Sequence, residues 1–147
     1  MTIPPFSDSG NLPEGVHDAT WDEIIDRFGT NERRRELLEG LRQALDSLRA
    51  AGCLRAYLDG SFVTTKEEPG DFDACWEAAG ADPDQLDPVL LTFADRRAAQ
   101  RARFGGELFP ADWEADPHGT RFLDYFQQDN VTGERKGIVA LDLEGLP

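Results

Sequence analysis

The stretch "YLDGSFVTTKEEPGDFDACW", Tyr57–Trp76, carries the reading of the fold. Its two ends alternate apolar and polar residues around a polar middle, which predicts two short strands joined by a turn-like segment over Thr64–Gly70. In the first strand Leu54, Ala56 and Leu58 share one side, and Arg55, Tyr57 and Asp59 the other. In "DFDACW" Asp71, Asp73 and Cys75 point one way, and Phe72, Ala74 and Trp76 the other. Two carboxylates on one strand face repel unless a cation or solvent compensates. Mg2+ favours carboxylate oxygens and keeps waters for substrate phosphates, so the pair suits that ion. Gly60 lets a phosphate approach the backbone, and Ser61 offers its N–H and its hydroxyl. Asp-x-Asp alone is a weak signal, because Asp82 and Asp84 repeat it inside a proline-interrupted loop.

On the N-terminal side, residues 1–18 are rich in Pro, Gly, Ser and Asp and predict an extended arm packed over the domain surface. Thr20, with Glu23 three residues later, is a capping-box signature for a short helix ending near Phe28–Gly29. Thr30 or Asn31 opens the longest helical pattern. Leu37, Leu38, Leu41, Ala44, Leu45 and Leu48 form its core-facing stripe, and Gly52 ends it. On the C-terminal side come a loop from Ala78 to Asp87, apolar "VLLTF", a helix over Asp95–Phe104, apolar "GELF" and a second loop, "PADWEADPHG". "FLDYF" reads as a short helix or strand, "DNVTGERKG" holds a Gly-containing turn, and Ile138–Leu143 is a closing strand. The expectation is one α/β or α+β domain over residues 1–147, a small mixed sheet covered by the Thr30–Ala51 and Asp95–Phe104 helices.

Composition narrows the partners. A net charge of -14 argues against unaided binding to a phosphate backbone, so nucleic acid is not expected as a direct partner. No apolar run is long enough to cross a bilayer, and "MTIPPFSDSG" lacks the features of a signal peptide, which points to the cytoplasm. Cys53 and Cys75 have neither CxxC spacing nor a flanking His and read as buried free thiols. Lys66 and Lys136 are the only lysines. Arg33, Arg34 and Arg35 form one cluster and Arg96, Arg97, Arg101 and Arg103 another. Both read as solvated helix faces, with phosphate contact the alternative for the second. Trp76, Trp113, Phe104 and Phe109 read as core. Phosphate-loop, GxGxxG, HExxH and GxSxG motifs are absent, and His17 and His118 are far from the cysteines.

The order strand, Gly60-Ser61, residues 62–70, Asp71-x-Asp73, strand resembles the DNA polymerase β-like nucleotidyltransferase superfamily. The likeness is to its minimal bacterial members of toxin-antitoxin pairs and to short bacterial proteins with such a core, and it covers Leu37 to Phe109. It implies that Gly60 and Ser61 hold nucleotide phosphates and that Asp71 and Asp73 ligate magnesium. It also implies a third carboxylate on a later strand: Glu107 first, then Asp142, then Asp112. The minimal members carry Arg-Gly after the Gly-Ser and Ser before the first Asp, where this chain has Thr65-Lys66 and Gly70; Lys66 is then the substitute phosphate contact. The implied activity is Mg2+-dependent transfer of a nucleotidyl group from an NTP to a protein or RNA hydroxyl. The alternatives are an inactive nucleotidyltransferase-like binding module, such as an antitoxin or immunity component with a cognate toxin as partner, and an acidic protein-interaction domain.

Overall fold

Thr20 caps the first helix as its spacing directs: its hydroxyl accepts from Glu23 N at 3.2 Å while the Glu23 carboxylate accepts from Thr20 N at 3.0 Å. In this computed structural model, which describes residues 3–129 and 131–147, that helix is α1 (Trp21–Phe28). Met1 and Thr2 of the expected arm, and Asn130 of the expected Gly-containing turn, lie outside the described residues. Asn31, rather than Thr30, caps α2 (Glu32–Ala50), its side chain accepting from Arg34 N at 2.9 Å. All six residues of the predicted stripe are buried, and Gly52 follows the helix with φ +96°.

Five strands form one mixed sheet: β1 (Gly15–Ala19), β2 (Arg55–Asp59), β3 (Phe72–Trp76), β4 (Gly106–Pro110) and β5 (Gly137–Asp142), in the order β1-β5-β2-β3-β4. The two edge pairings are parallel and the two central ones antiparallel. The fold is therefore mixed α+β. The arm differs from expectation, since its last residues are an edge strand of the sheet: β1 gains its ladder from β5, which a turn-rich composition does not announce. Ile3 and Leu12 are buried, so the preceding residues close over the core. "VLLTF" is a 3-10 turn over Pro88–Leu91 rather than a regular element, and "FLDYF" is a single helical turn, α4 (Phe122–Tyr125).

The alternation in the opening stretch sorts the two faces of the sheet. Ala56, Leu58, Phe72, Ala74, Trp76 and Leu108 pack with residues of α1, α2 and α3 (Ala94–Phe104). Tyr57, Cys75, Phe109, Ile138 and Ala140 face the other way, toward Phe126 and the residues around α4. Leu54, expected on the first face, precedes β2 and is 51% exposed. Trp113, expected in the core, is 48% exposed and leans on Phe93 at 5.1 Å. Both thiols are free and buried, and burial raises the Cys53 and Cys75 pKa values, leaving them protonated. No helix among the described residues is long and apolar enough to cross a membrane.

Gly40 sets how closely α2 and α3 meet. A Cβ there would lie 1.8 Å from the Phe104 carbonyl oxygen. In an open helix, Gly to Ala gains about 1 kcal/mol. Here the added methyl group has to push two packed elements apart, so Gly40→Ala is expected to lower stability in urea unfolding; a rise would show that the contact yields freely.

Candidate metal centre

Register places a row of carboxylates on the face away from α2. Asp73 of β3 pairs with Asp59 of β2 on one side and Glu107 of β4 on the other. Asp71 stands one residue before β3, on the same side as Asp73 by alternation. One carboxylate oxygen from each of Asp71, Asp73 and Glu107 lies within 4.8 Å of the others. Of the three candidates for the third position, Glu107 joins the pair. Asp142 instead caps the final 3-10 turn, accepting from Glu144 N at 3.3 Å. Asp112 lines a separate cavity of about 240 Å3 with Tyr57 and Arg121.

Gly60 follows β2 with φ +84° and ψ -172°, a conformation open essentially to glycine alone. A Cβ at this position would stand 2.8 Å from Asp73 Oδ2, so the bare backbone makes room for the carboxylate itself. Ser61 opens a 3-10 turn over Ser61–Val63; its carbonyl accepts from Thr64, and its half-buried hydroxyl has no hydrogen-bond partner among the described residues. Lys66 is exposed and forms no ion pair among the described residues, yet its charge is near enough to favour the ionised form of Asp71.

The loop carrying these residues is fixed by Arg34, which was expected in a solvated cluster and is instead 3% exposed. Its guanidinium donates to the carbonyls of Phe62 at 2.6 Å, Thr64 at 2.8 Å and Phe28 at 3.3 Å, and to that of Lys66. Arg33 donates to the Pro69 carbonyl at 3.1 Å and to that of Gly70, directly before Asp71. A run of three arginines reads as surface because nothing in sequence shows that the loop from Phe62 to Gly70 passes over one end of α2.

Sequence reading also missed four charged residues as partners at the site. Asp59, 5% exposed, is paired with Lys136 Nζ from the residue before β5. The available signal was the alternation that put Asp59 on the Tyr57 face. Arg97 Nε and Nη2 donate to Glu107 Oε1 at 3.2 and 2.9 Å, and Arg101 Nε lies 4.0 Å from the same oxygen. Arg97 reaches it from a first turn of α3 that is left-handed, Asp95, Arg96 and Arg97 having φ of 52°, 56° and 60°.

The Asp71 and Asp73 carboxylates accept no hydrogen bond from the described residues, and Asp73 lines a cavity of about 320 Å3 together with Glu107 and Arg97. Burial, then the charges of Asp71, Asp59 and Glu107, raise the Asp73 pKa to about 7, against Lys136. Burial and the charge of Glu107 raise that of Asp71, against Arg101, Arg33 and Lys66. Burial raises Asp59 despite Lys136. Three clustered oxygen donors, two of them without a donor of their own, fit a hard divalent cation.

A family model spans residues 4–142. The chain belongs to DUF6932, a family of unknown function. No curated protein and no solved structure matches it.

Because folding raises the Asp73 pKa, the folded protein holds that proton more tightly than the unfolded chain. Its contribution to stability is present in full below pH 4 and is lost as pH rises through about 7. Urea unfolding of Asp73→Asn and wild type across pH 4–8 should show the variant gaining relative stability as pH rises. A difference independent of pH would mean that Asp73 titrates normally.

Proposed function

We propose that the chain is a Mg2+-dependent nucleotidyltransferase that takes an NTP as substrate. The observation carrying this reading is the gathering of Asp71, Asp73 and Glu107 within 4.8 Å beside the Gly60–Ser61 backbone. These three residues would hold the metal, which supplies neutralisation of the triphosphate and of the leaving pyrophosphate. Ser61 donates its hydroxyl to a phosphate oxygen, and the Arg34-tied loop keeps it in place. Lys66, on the same loop and electrostatically coupled to Asp71, adds positive charge toward the phosphate chain. The acceptor is a protein or RNA hydroxyl. Its oxygen bonds to the α-phosphorus while the bond to pyrophosphate breaks, and its proton passes to a site carboxylate. The resemblance of the Gly60-Ser61, Asp71-x-Asp73 order to minimal nucleotidyltransferases supports the same reading.

One observation favours a second reading, a nucleotide-binding module without turnover: Arg97 already occupies Oε1 of Glu107 and partly neutralises the third ligand. Calorimetry and unfolding test the metal-dependent nucleotide binding that both readings require. With Mg2+, an NTP at about 100 times its Kd should add about 2.7 kcal/mol of stability, and EDTA should remove the gain. Asp71→Asn and Glu107→Gln should abolish it while leaving the apo protein folded. Label from an α-labelled NTP reaching an acceptor supports transfer; metal-dependent binding without label supports the silent module. Binding unchanged by EDTA would overturn both.

A further inference from the structure

The cavity beside the triad has two chemically different ends. At about 320 Å3 it falls within the range of roughly 300–1,000 Å3 typical of small-molecule sites. Asp73, Glu107 and the Arg97 guanidinium form one end; Phe109, Phe122, Tyr125 and Phe126 form the other. Interiors are close-packed and unfilled space costs stability. A space walled by rings and opening onto the unpartnered Asp73 carboxylate and the Arg97–Glu107 pair therefore suits an occupant that is charged at one end and flat at the other.

The rings are arranged as a platform. Phe109 and Phe122 stack at 4.1 Å with planes 9° apart, and Phe93 lies parallel to Phe109 on its flank at 6.2 Å. Tyr125 stands edge-on to Phe122 at 6.4 Å, and both are half-buried, so their surfaces remain open to a ligand. Glu107 and Phe109 are two residues apart on one face of β4, a step of about 7 Å along a strand, which separates the charged group from the ring. Arg97 bridges the two ends, bonded to Glu107 and set 5.3 Å from the centroid of the Phe109 ring.

We propose that this aromatic compartment binds the base ring of a nucleotide whose phosphates lie at the triad. The inference rests on the nucleotide reading above and adds where the base goes. Ring stacking accepts any base, since each has a π face, so the compartment recognises a nucleotide as a class rather than one base.

The test compares ATP with inorganic tripolyphosphate in calorimetry, both with excess Mg2+. ATP should bind roughly 5- to 150-fold tighter, the range that one stacked base supplies. Phe122→Leu and Tyr125→Leu should each cut ATP affinity toward that of tripolyphosphate and leave tripolyphosphate affinity unchanged. Equal wild-type affinities would overturn the base compartment while leaving the metal and phosphate site intact, and need no variant to observe. A loss of both ligands' affinity in the ring variants also counts against it, since the rings would then only support the triad. If neither ligand binds with Mg2+, the nucleotide reading fails and this inference with it.

Discussion

Like charges held together on one face of the sheet are the constraint around which the rest of the chain is arranged. Asp59, Asp73 and Glu107 stand side by side across three strands, with Asp71 next to them. In water such groups repel weakly; partly buried, they repel strongly, and each also loses hydration. The protein answers differently at each member. Lys136 neutralises Asp59 at one end of the row, and Arg97 with Arg101 neutralises Glu107 at the other. Asp71 and Asp73, between them, have no such contact, and there burial first and then the neighbouring negative charges raise the proton affinity, as burial also does at Asp59 despite Lys136. A row neutralised at its ends and open at its centre concentrates cation affinity at one point.

Holding that arrangement requires a rigid frame, and α2 supplies it from both sides. Its leucine stripe locks the helix to the back of the sheet. Its first turn sends Arg34 into the loop after Gly60, where one guanidinium meets three loop carbonyls and also that of Phe28 at the end of α1. The loop carbonyls belong to irregular backbone with no ladder to satisfy them, so the loop's path rests on Arg34 together with Arg33, which bonds the Pro69 and Gly70 carbonyls. Charge-assisted bonds of this kind are stronger than neutral ones, which offsets the cost of burying Arg34.

Much of this was legible in the chain, and the legible parts share a cause: they are local. The α1 capping box, the α2 stripe and the alternation that puts Asp71 and Asp73 on one face and Phe72 and Trp76 on the other all follow from spacings within a few residues; the rank of Glu107 ahead of Asp142 comes from the family resemblance instead. What escaped depends on pairing distant segments. Asp59 becomes a neighbour of Asp73 only through antiparallel register, Lys136 reaches Asp59 across the sheet, and residues 15–19 become a strand only because β5 lies beside them. Arg34 and Trp113 were misjudged in opposite directions for one reason: burial is settled by what crosses over a residue, and that lies elsewhere in the chain.

The left-handed turn at Asp95–Arg97 shows what the carboxylate row demands of its surroundings. A left-handed conformation costs an L-residue roughly 1–2 kcal/mol, and among the described non-glycine residues only these three adopt it. Asp95 belongs to a residue type that tolerates this region, but Arg96 and Arg97 do not, and Arg96 is exposed. The compensation is at the tip, where Arg97 gains two charge-assisted bonds to Glu107 and a face of Phe109. The strain and the carboxylate charge therefore offset one another. Neutralisation of Glu107 from another source would remove the larger, charge-assisted part of that compensation and leave the Phe109 contact, which links the backbone of α3 to the charge state of the centre through one guanidinium.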